Sequence, residues 1–265
     1  MPNKLIFLPV LLAASVFATV ASAQQAVPPI KDNSFLIEEA YNQEPGVVQH
    51  ILLFTRERST QDWELGFGQE WPLASQDHQL SYSIPFVRAG MNQGLGDVAI
   101  NYRFRWLARA RSESVLRLTA ILPTGDAARG LGAGGAGVGV NFPLSMEISR
   151  AIAAHWNAGG SVVPSARADD GTRTAVRETF IGASVVWLAH PVVNALAELV
   201  WAREESPEPG GTRSSETTLT LVPGVRGAIN LRSGAQIVPG AGLMIDASHG
   251  RLSGLLLYLS YEHSF

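Results

Sequence analysis

Cysteine is absent from the 265 residues, which excludes disulfides and thiolate metal sites and leaves packing or hydrogen-bonded closure to stabilise the chain. Charge is also scarce. Asp, Glu, Lys and Arg make up 16% of the chain, against roughly 25% in soluble globular domains, so something other than a conventional charged surface must face the surroundings. The net charge of −3 offers no basic face, and no nucleic-acid partner is expected. Beyond Gln24 no apolar run reaches the roughly 18 residues that a helical membrane span requires.

Catalytic and metal-binding patterns are missing as well. His50, His78, His155, His190, His249 and His263 include no two at metal-ligand spacing and no His-Glu-x-x-His. A barrel hydrolase of the phospholipase type would carry His and Ser two apart on one strand. Ser248 and Ser264 instead adjoin His249 and His263 and face the other way. The glycine-rich stretch 130–137 lacks a Gly-Lys-Ser/Thr ending and leads into a strand, so it reads as a flexible loop rather than a phosphate cradle. Asp169-Asp170-Gly171 lacks the spaced oxygen ligands of a calcium loop. No catalytic residue, metal or cofactor is assigned, and the chain is not expected to be an enzyme.

What is present begins with an address. Lys4, the apolar stretch Leu5 to Val20 and Ala21-Ser22-Ala23 form the three parts of a secretory signal peptide over residues 1–23. Residues 24–44 follow as an N-terminal segment, either periplasmic or a plug. From about residue 45 to 265 the dominant signal is period-two alternation in runs of about ten residues. The clearest is Val98, Ile100, Tyr102, Phe104 and Trp106 on one face with Asn101, Arg103 and Arg105 on the other. Further runs carry Trp63, Leu65, Phe67 and Trp71; Leu80, Tyr82, Ile84 and Phe86; Leu116, Leu118, Ala120 and Leu122. Others carry Val138, Val140, Phe142, Leu144 and Met146; Leu219, Leu221, Pro223 and Val225; and Leu255, Leu257, Leu259 and Tyr261. Weaker runs near 47–57, 151–163, 175–188, 192–203 and 235–245 bring the total to about 12. This predicts an all-β fold, a closed antiparallel transmembrane β-barrel, with long loops at 124–135, 164–174 and 204–215 gathered on one side.

An apolar outer face in contact with lipid leaves the opposite face to line the lumen: Glu64, Glu70, Asn101, Arg103, Arg105, Arg117, Asn141, Glu147 and Glu262. Glu64 or Glu70 is expected to pair across the lumen with Arg103, Arg105 or Arg117. Trp63, Trp71, Trp106, Trp156, Trp187 and Trp201 fit aromatic girdles at the headgroup boundaries, although core tryptophans would alternate in the same way. Leu257, Leu259, Tyr261 and the terminal Phe265 resemble the assembly signal of bacterial outer-membrane proteins, which makes the barrel-assembly machinery and outer-membrane lipid the expected partners.

The segment Asp32 to His50, the Gly94-Leu95-Gly96-Asp97 before a strand and the Leu122-Pro123-Thr124-Gly125-Asp126 after one resemble a family of outer-membrane proteins described as belonging to a meta-pathway of phenol degradation and labelled as transporters. The resemblance covers the mature chain. It implies location in the cell outer membrane and a porin-like pore for small solutes, hydrophobic or aromatic. Two alternatives stay open: a barrel enzyme acting on lipid or a surface substrate, and an exported soluble β-sandwich that binds a ligand.

Overall fold

The computed structural model describes Ile30 and residues 32–265; the expected signal peptide lies outside them. Each alternating run forms a strand, because period-two sorting places all its apolar side chains on one face of a pleated ribbon. In chain order the strands are β1 (Val47–Glu57), β2 (Trp63–Leu73), β3 (Ser75–Ala89) and β4 (Asn92–Leu95 with Val98–Arg109). There follow β5 (Ser112–Leu122), β6 (Gly137–Asn141 with Leu144–Glu147), β7 (Ile152–Arg167) and β8 (Arg173–His190). The last four are β9 (Val193–Glu208), β10 (Thr212–Gly227), β11 (Gln236–Asp246) and β12 (Arg251–Ser264). Each pairs antiparallel with its chain neighbours, and β12 returns to β1 in an unbroken register from Val47 opposite Ser264 to Glu57 opposite Gly254. The result is a closed antiparallel barrel of 12 strands. Closure overturns the sandwich alternative, whose sheets would end in free edges.

Two interruptions have local causes. β6 breaks at Phe142-Pro143, where proline has no N–H to give the ladder. The register nevertheless survives, because Val115 N–H donates to Pro143 O at 3.1 Å and Phe142 N–H to Ala158 O at 3.0 Å. β4 breaks at Gly96-Asp97, where the wall receives a loop described below.

One end of the barrel has minimal connections, Ala74 alone between β2 and β3 and residues 191–192 between β8 and β9. The other end differs from expectation. Only 123–136 is a long loop there. The segments 164–174 and 204–215 are mostly strand, joined by residues 168–172 and 209–211, and Glu204 to Glu208 pair continuously with Glu216 to Thr212. Their polar composition reads as loop. A hairpin projecting into water needs no apolar face, however, and the backbone ladder continues through it.

The outer surface is apolar. Ile100, Phe104, Leu118, Val138, Ile181, Val185, Leu199, Val225, Leu243 and Leu257 are all exposed, and a charge among such residues in lipid would cost about 2–4 kcal/mol. Trp71, Trp106, Trp156 and Trp187 lie towards the short-turn end and Trp63 towards the opposite one, a distribution that fits interfacial girdles.

Inside, the two halves of the wall differ. β3 to β6 present polar groups inward, among them Gln79, Ser81, Asn101, Arg103 and Asn141. β8 to β12 present Val186, Leu196, Val222, Val238 and Leu256, all buried around Phe35 and Ile30. In β8, β9 and β11 both faces are largely apolar, which is why their alternation is weak in the sequence.

Candidate functional site

The start of β1 and the end of β12 meet at the short-turn end of the barrel, where Phe265 N–H donates to Gly46 O at 3.0 Å. From there residues 32–43 run up into the barrel and back. Asp32 and Gln43 both bond Gln49, whose amide donates to Asp32 Oδ1 and accepts from Gln43 Nε2. Between them the segment has no helix or strand. Its backbone groups, buried away from water, must therefore find partners on the wall.

The wall supplies them. Glu198 on β9 accepts three consecutive N–H groups, from Phe35 at 2.8 Å, Leu36 at 2.9 Å and Ile37 at 3.1 Å. Asn157 on β7 accepts the Glu38 N–H at 3.0 Å and donates to the Glu38 carbonyl at 2.8 Å. Ser145 on β6 accepts from Ala40 N–H, and Gln79 on β3 from Gln43 N–H, each at 2.7 Å. Arg226 on β10 donates to the carbonyls of Asp32 and Asn33, both at 2.7 Å. Tyr258 and Ser260 on β12 donate to the Asp32 carboxylate. Arg117 on β5 and Ser184 on β8 add bonds to Glu38 and Ser34. With Gln49 on β1 and Arg103 on β4, ten of the 12 strands hold the segment.

Apolar sockets complete the fit. A Cβ at Gly240 would lie 2.7 Å from the Phe35 ring, and one at Gly182 would lie 2.5 Å from Ile37 Cδ1. A side chain at either position would displace Phe35 or Ile37 from its seat. Phe35 also packs on Tyr258 with ring centroids 5.9 Å apart.

The residues expected along the lumen separate into groups. Arg103 is buried; its guanidinium meets Glu38 at 3.2 Å and donates to the Glu39 carbonyl at 2.7 Å. Arg117 meets the other Glu38 oxygen at 2.9 Å, and Asn141 donates to that same oxygen at 2.9 Å. Arg105 is bound by Asp77 at 2.8 Å and Glu113 at 3.2 Å. Glu70 accepts from Gln79, and Asn101 accepts from Thr119, each at 2.8 Å. Glu64 lines cavities on the loop side, Glu262 lines one at the short-turn end, and Glu147 is exposed at that rim. The expected pairing of Glu64 or Glu70 with these arginines is not formed among the described residues. The N-terminal segment brings its own carboxylate, Glu38, into the middle of the barrel and takes Arg103 and Arg117 for itself.

Cavities surround the segment, one of about 190 Å³ lying between it and Ile51, Leu53 and Glu70 of β1 and β2. On the loop side lies a cavity of about 310 Å³ lined by Glu64, Pro85, Thr119, Ile121, Val140 and Phe180, and beside it one of about 540 Å³ under the loop tips. At the short-turn end Tyr41, Gln43, Glu113, Gln236 and Glu262 line about 350 Å³.

The sequence reading missed Glu198, Arg226, Ser145, His155 and the acidic pair Glu38 and Glu39. A signal for two of them existed. Glu198 and Arg226 are the single charges of the stretches 193–202 and 217–227, and the cost of a charge in lipid obliges such groups to face inward. The structure also joins Ser145, His155 and Glu39: Ser145 Oγ is 2.7 Å from His155 Nδ1, and His155 Nε2 is 3.5 Å from Glu39. These are the residue types of a hydrolase triad. Yet Ser145 is fully buried and its oxygen already accepts the Ala40 N–H, so no substrate can reach it while the segment is in place.

The glycine-rich loop is not free, as its composition suggests. Asp97 accepts the N–H groups of Gly125 at 2.8 Å and Ala133 at 2.7 Å, while Thr124 Oγ1 donates to Gly96 O at 2.9 Å. Leu131 is buried over Gly94 and Gly96. The two motifs on which the family resemblance partly rests thus clasp each other at the loop end.

No family model matches the chain, and no curated protein matches it. Among solved structures, the chain is similar to an outer-membrane channel from Pseudomonas putida F1, with a TM-score of 0.57 and 13% identity over 85% of this chain and 98% of that one. It is also similar to the NanC porin, with a TM-score of 0.50 and 7% identity over 82% of this chain and all of the porin. At such identities the likeness is one of fold: this chain has the architecture of outer-membrane channel barrels.

Proposed function

We propose that the protein is an outer-membrane channel for small solutes, hydrophobic or aromatic, whose lumen is closed at rest by residues 32–43. The observation that carries this reading is the way the segment is held. It occupies the middle of the barrel, held through hydrogen bonds, ion pairs and two apolar sockets, with a cavity on either side and a smaller one beside it. A structural filler would serve as well if it were part of the wall. This one is an arm anchored at Gly46 and can leave as a unit. The loop-side cavity, with Phe180, Ile121 and Val140 beside Glu64 and Thr119, suits a one-ring compound with a polar substituent. That solute class also follows from the family resemblance, and export from the signal-peptide pattern of residues 1–23.

The test compares the whole mature protein with a variant lacking residues 28–43 in planar bilayers and in vesicles loaded with benzenesulfonate, a one-ring anion that lipid alone retains. Low conductance in the whole protein and raised conductance in the variant are expected. In the open variant, replacing Arg103, Arg105 and Arg117 by Gln should move ion selectivity towards cations. Absence of both conductance and benzenesulfonate passage in either form would refute the channel reading.

A further inference from the structure

Closure of the barrel depends on the β1–β12 seam, the one strand pair not joined by a turn. On its outer face, near the short-turn end, His50 of β1 and His263 of β12 approach each other diagonally, since His50 stands opposite Tyr261 and Val48 opposite His263. Their Nε2 atoms are 3.3 Å apart and the rings are nearly parallel at 14°. A second bond orients the pair. His263 Nδ1 lies 2.8 Å from the Ser264 carbonyl, which can only accept, so the proton of a neutral His263 sits on Nδ1. Its Nε2 therefore presents a lone pair towards His50. A backbone carbonyl holding Nδ1–H while Nε2 is left free is the arrangement that prepares histidine as a metal ligand.

We propose that His50 and His263 form a two-histidine site for a divalent transition metal, with Zn²⁺ as the probe, that staples the seam. Two Zn–N bonds of 2.0–2.1 Å at a tetrahedral angle place the nitrogens about 3.3 Å apart, which is the separation the folded chain already provides. Imidazole is a good ligand for Zn²⁺, Cu²⁺ and Ni²⁺. The remaining coordination positions are taken by water at the headgroup level, which Trp71 marks, since Gln49 beside His50 pairs with Glu70 beside Trp71. Binding would join the first strand to the last where the register has no covalent support. Phe67 and Tyr261, stacked against His50, hold its ring in place.

The test uses the full chain folded in detergent, with ZnCl₂ alone as probe and a chelator to reverse it. A site absent from the unfolded state shifts the folding equilibrium about a hundredfold at free zinc a hundred times the dissociation constant. This should appear as slower unfolding and a higher midpoint of heat-modifiable migration. His50→Ala and His263→Ala should each abolish the shift, while His249→Ala leaves it intact. Should an alanine variant fail to fold, protection against diethylpyrocarbonate in the wild-type chain decides: zinc should shield His50 and His263 together and leave His190 reactive. No shift in the wild-type protein, a shift that persists in either alanine variant, or zinc that shields neither histidine would overturn the proposal. None of these readouts depends on conductance, so the site and the channel stand or fall separately.

Discussion

At the scale of single residues, Glu198 illustrates how a buried charge can be tolerated inside a barrel. Its two oxygens accept three amide N–H groups from Phe35, Leu36 and Ile37, and hydrogen bonds to a charged group are worth about 1.5–3 kcal/mol each. Glu198→Ala should therefore release the segment while sparing the wall, since an orphaned buried amide costs about 1–3 kcal/mol. The expected outcome is rapid proteolysis between residues 30 and 44, with heat-modifiable migration of the barrel retained; equal protease resistance in mutant and wild type would refute it. Glu198→Gln keeps an acceptor oxygen and should show an intermediate effect. The importance of Glu198 was only partly legible. A lone Glu between Ala197 and Leu199 points inward on energetic grounds, but its partners lie more than 160 residues away.

At the scale of elements, alternation was most legible where the two faces of a strand meet different surroundings. Strand β4 has lipid outside and the polar arm inside, so Ile100 and Phe104 sort cleanly from Asn101 and Arg103. Ile100→Arg and Phe104→Arg should each lower the yield of folded barrel in lipid, at a cost of about 2–4 kcal/mol. Asn101→Lys, directed inward, should be much milder; similar losses at all three positions would reverse the face assignment. Strands β8, β9 and β11 were harder to read because Val186, Leu196 and Val238 face Phe35 and Ile30 instead of water. The hairpin tips give a pH test. Asp170 in the β7–β8 turn accepts from Thr172 and, at 2.8 Å, from the Gly210 N–H of the neighbouring tip. Hydrogen bonds from the Thr172 side chain and backbone, and from Gly210, hold its carboxyl below the ordinary 3.8. A depressed folded value means that the link is present above the unfolded value and lost as pH falls through the folded one. Protection of the Gly210 amide from exchange should thus persist at pH 5 and fade only below 3.8.

For the whole molecule, closure is the decisive event. The last strand must find the first across the full chain, with His263 opposite Val48 and Leu257 opposite Phe54. Leu257, Leu259, Tyr261 and Phe265 are all exposed on the outer face, the position that an assembly signal requires. Deleting Phe265, or replacing it by Asp, should reduce the amount of folded protein in the outer membrane several-fold, measured by fractionation and unboiled electrophoresis. Unchanged amounts would count against the assembly role of the terminal residue.

The barrel itself was determined by local order in the sequence. Period-two alternation requires only neighbours along a strand, and the need to satisfy every backbone group in lipid turns a set of such strands into a closed wall. What fills the wall was settled only in three dimensions. Arg103 and Arg117 have carboxylates near them in the sequence, yet both pair with Glu38, which arrives from outside the sheet. Gly182 and Gly240 are unremarkable until Ile37 and Phe35 enter their sockets. The arm has no periodicity of its own because its hydrogen bonds go to ten different strands rather than to a regular ladder, and such partners acquire addresses only once the barrel has closed around them.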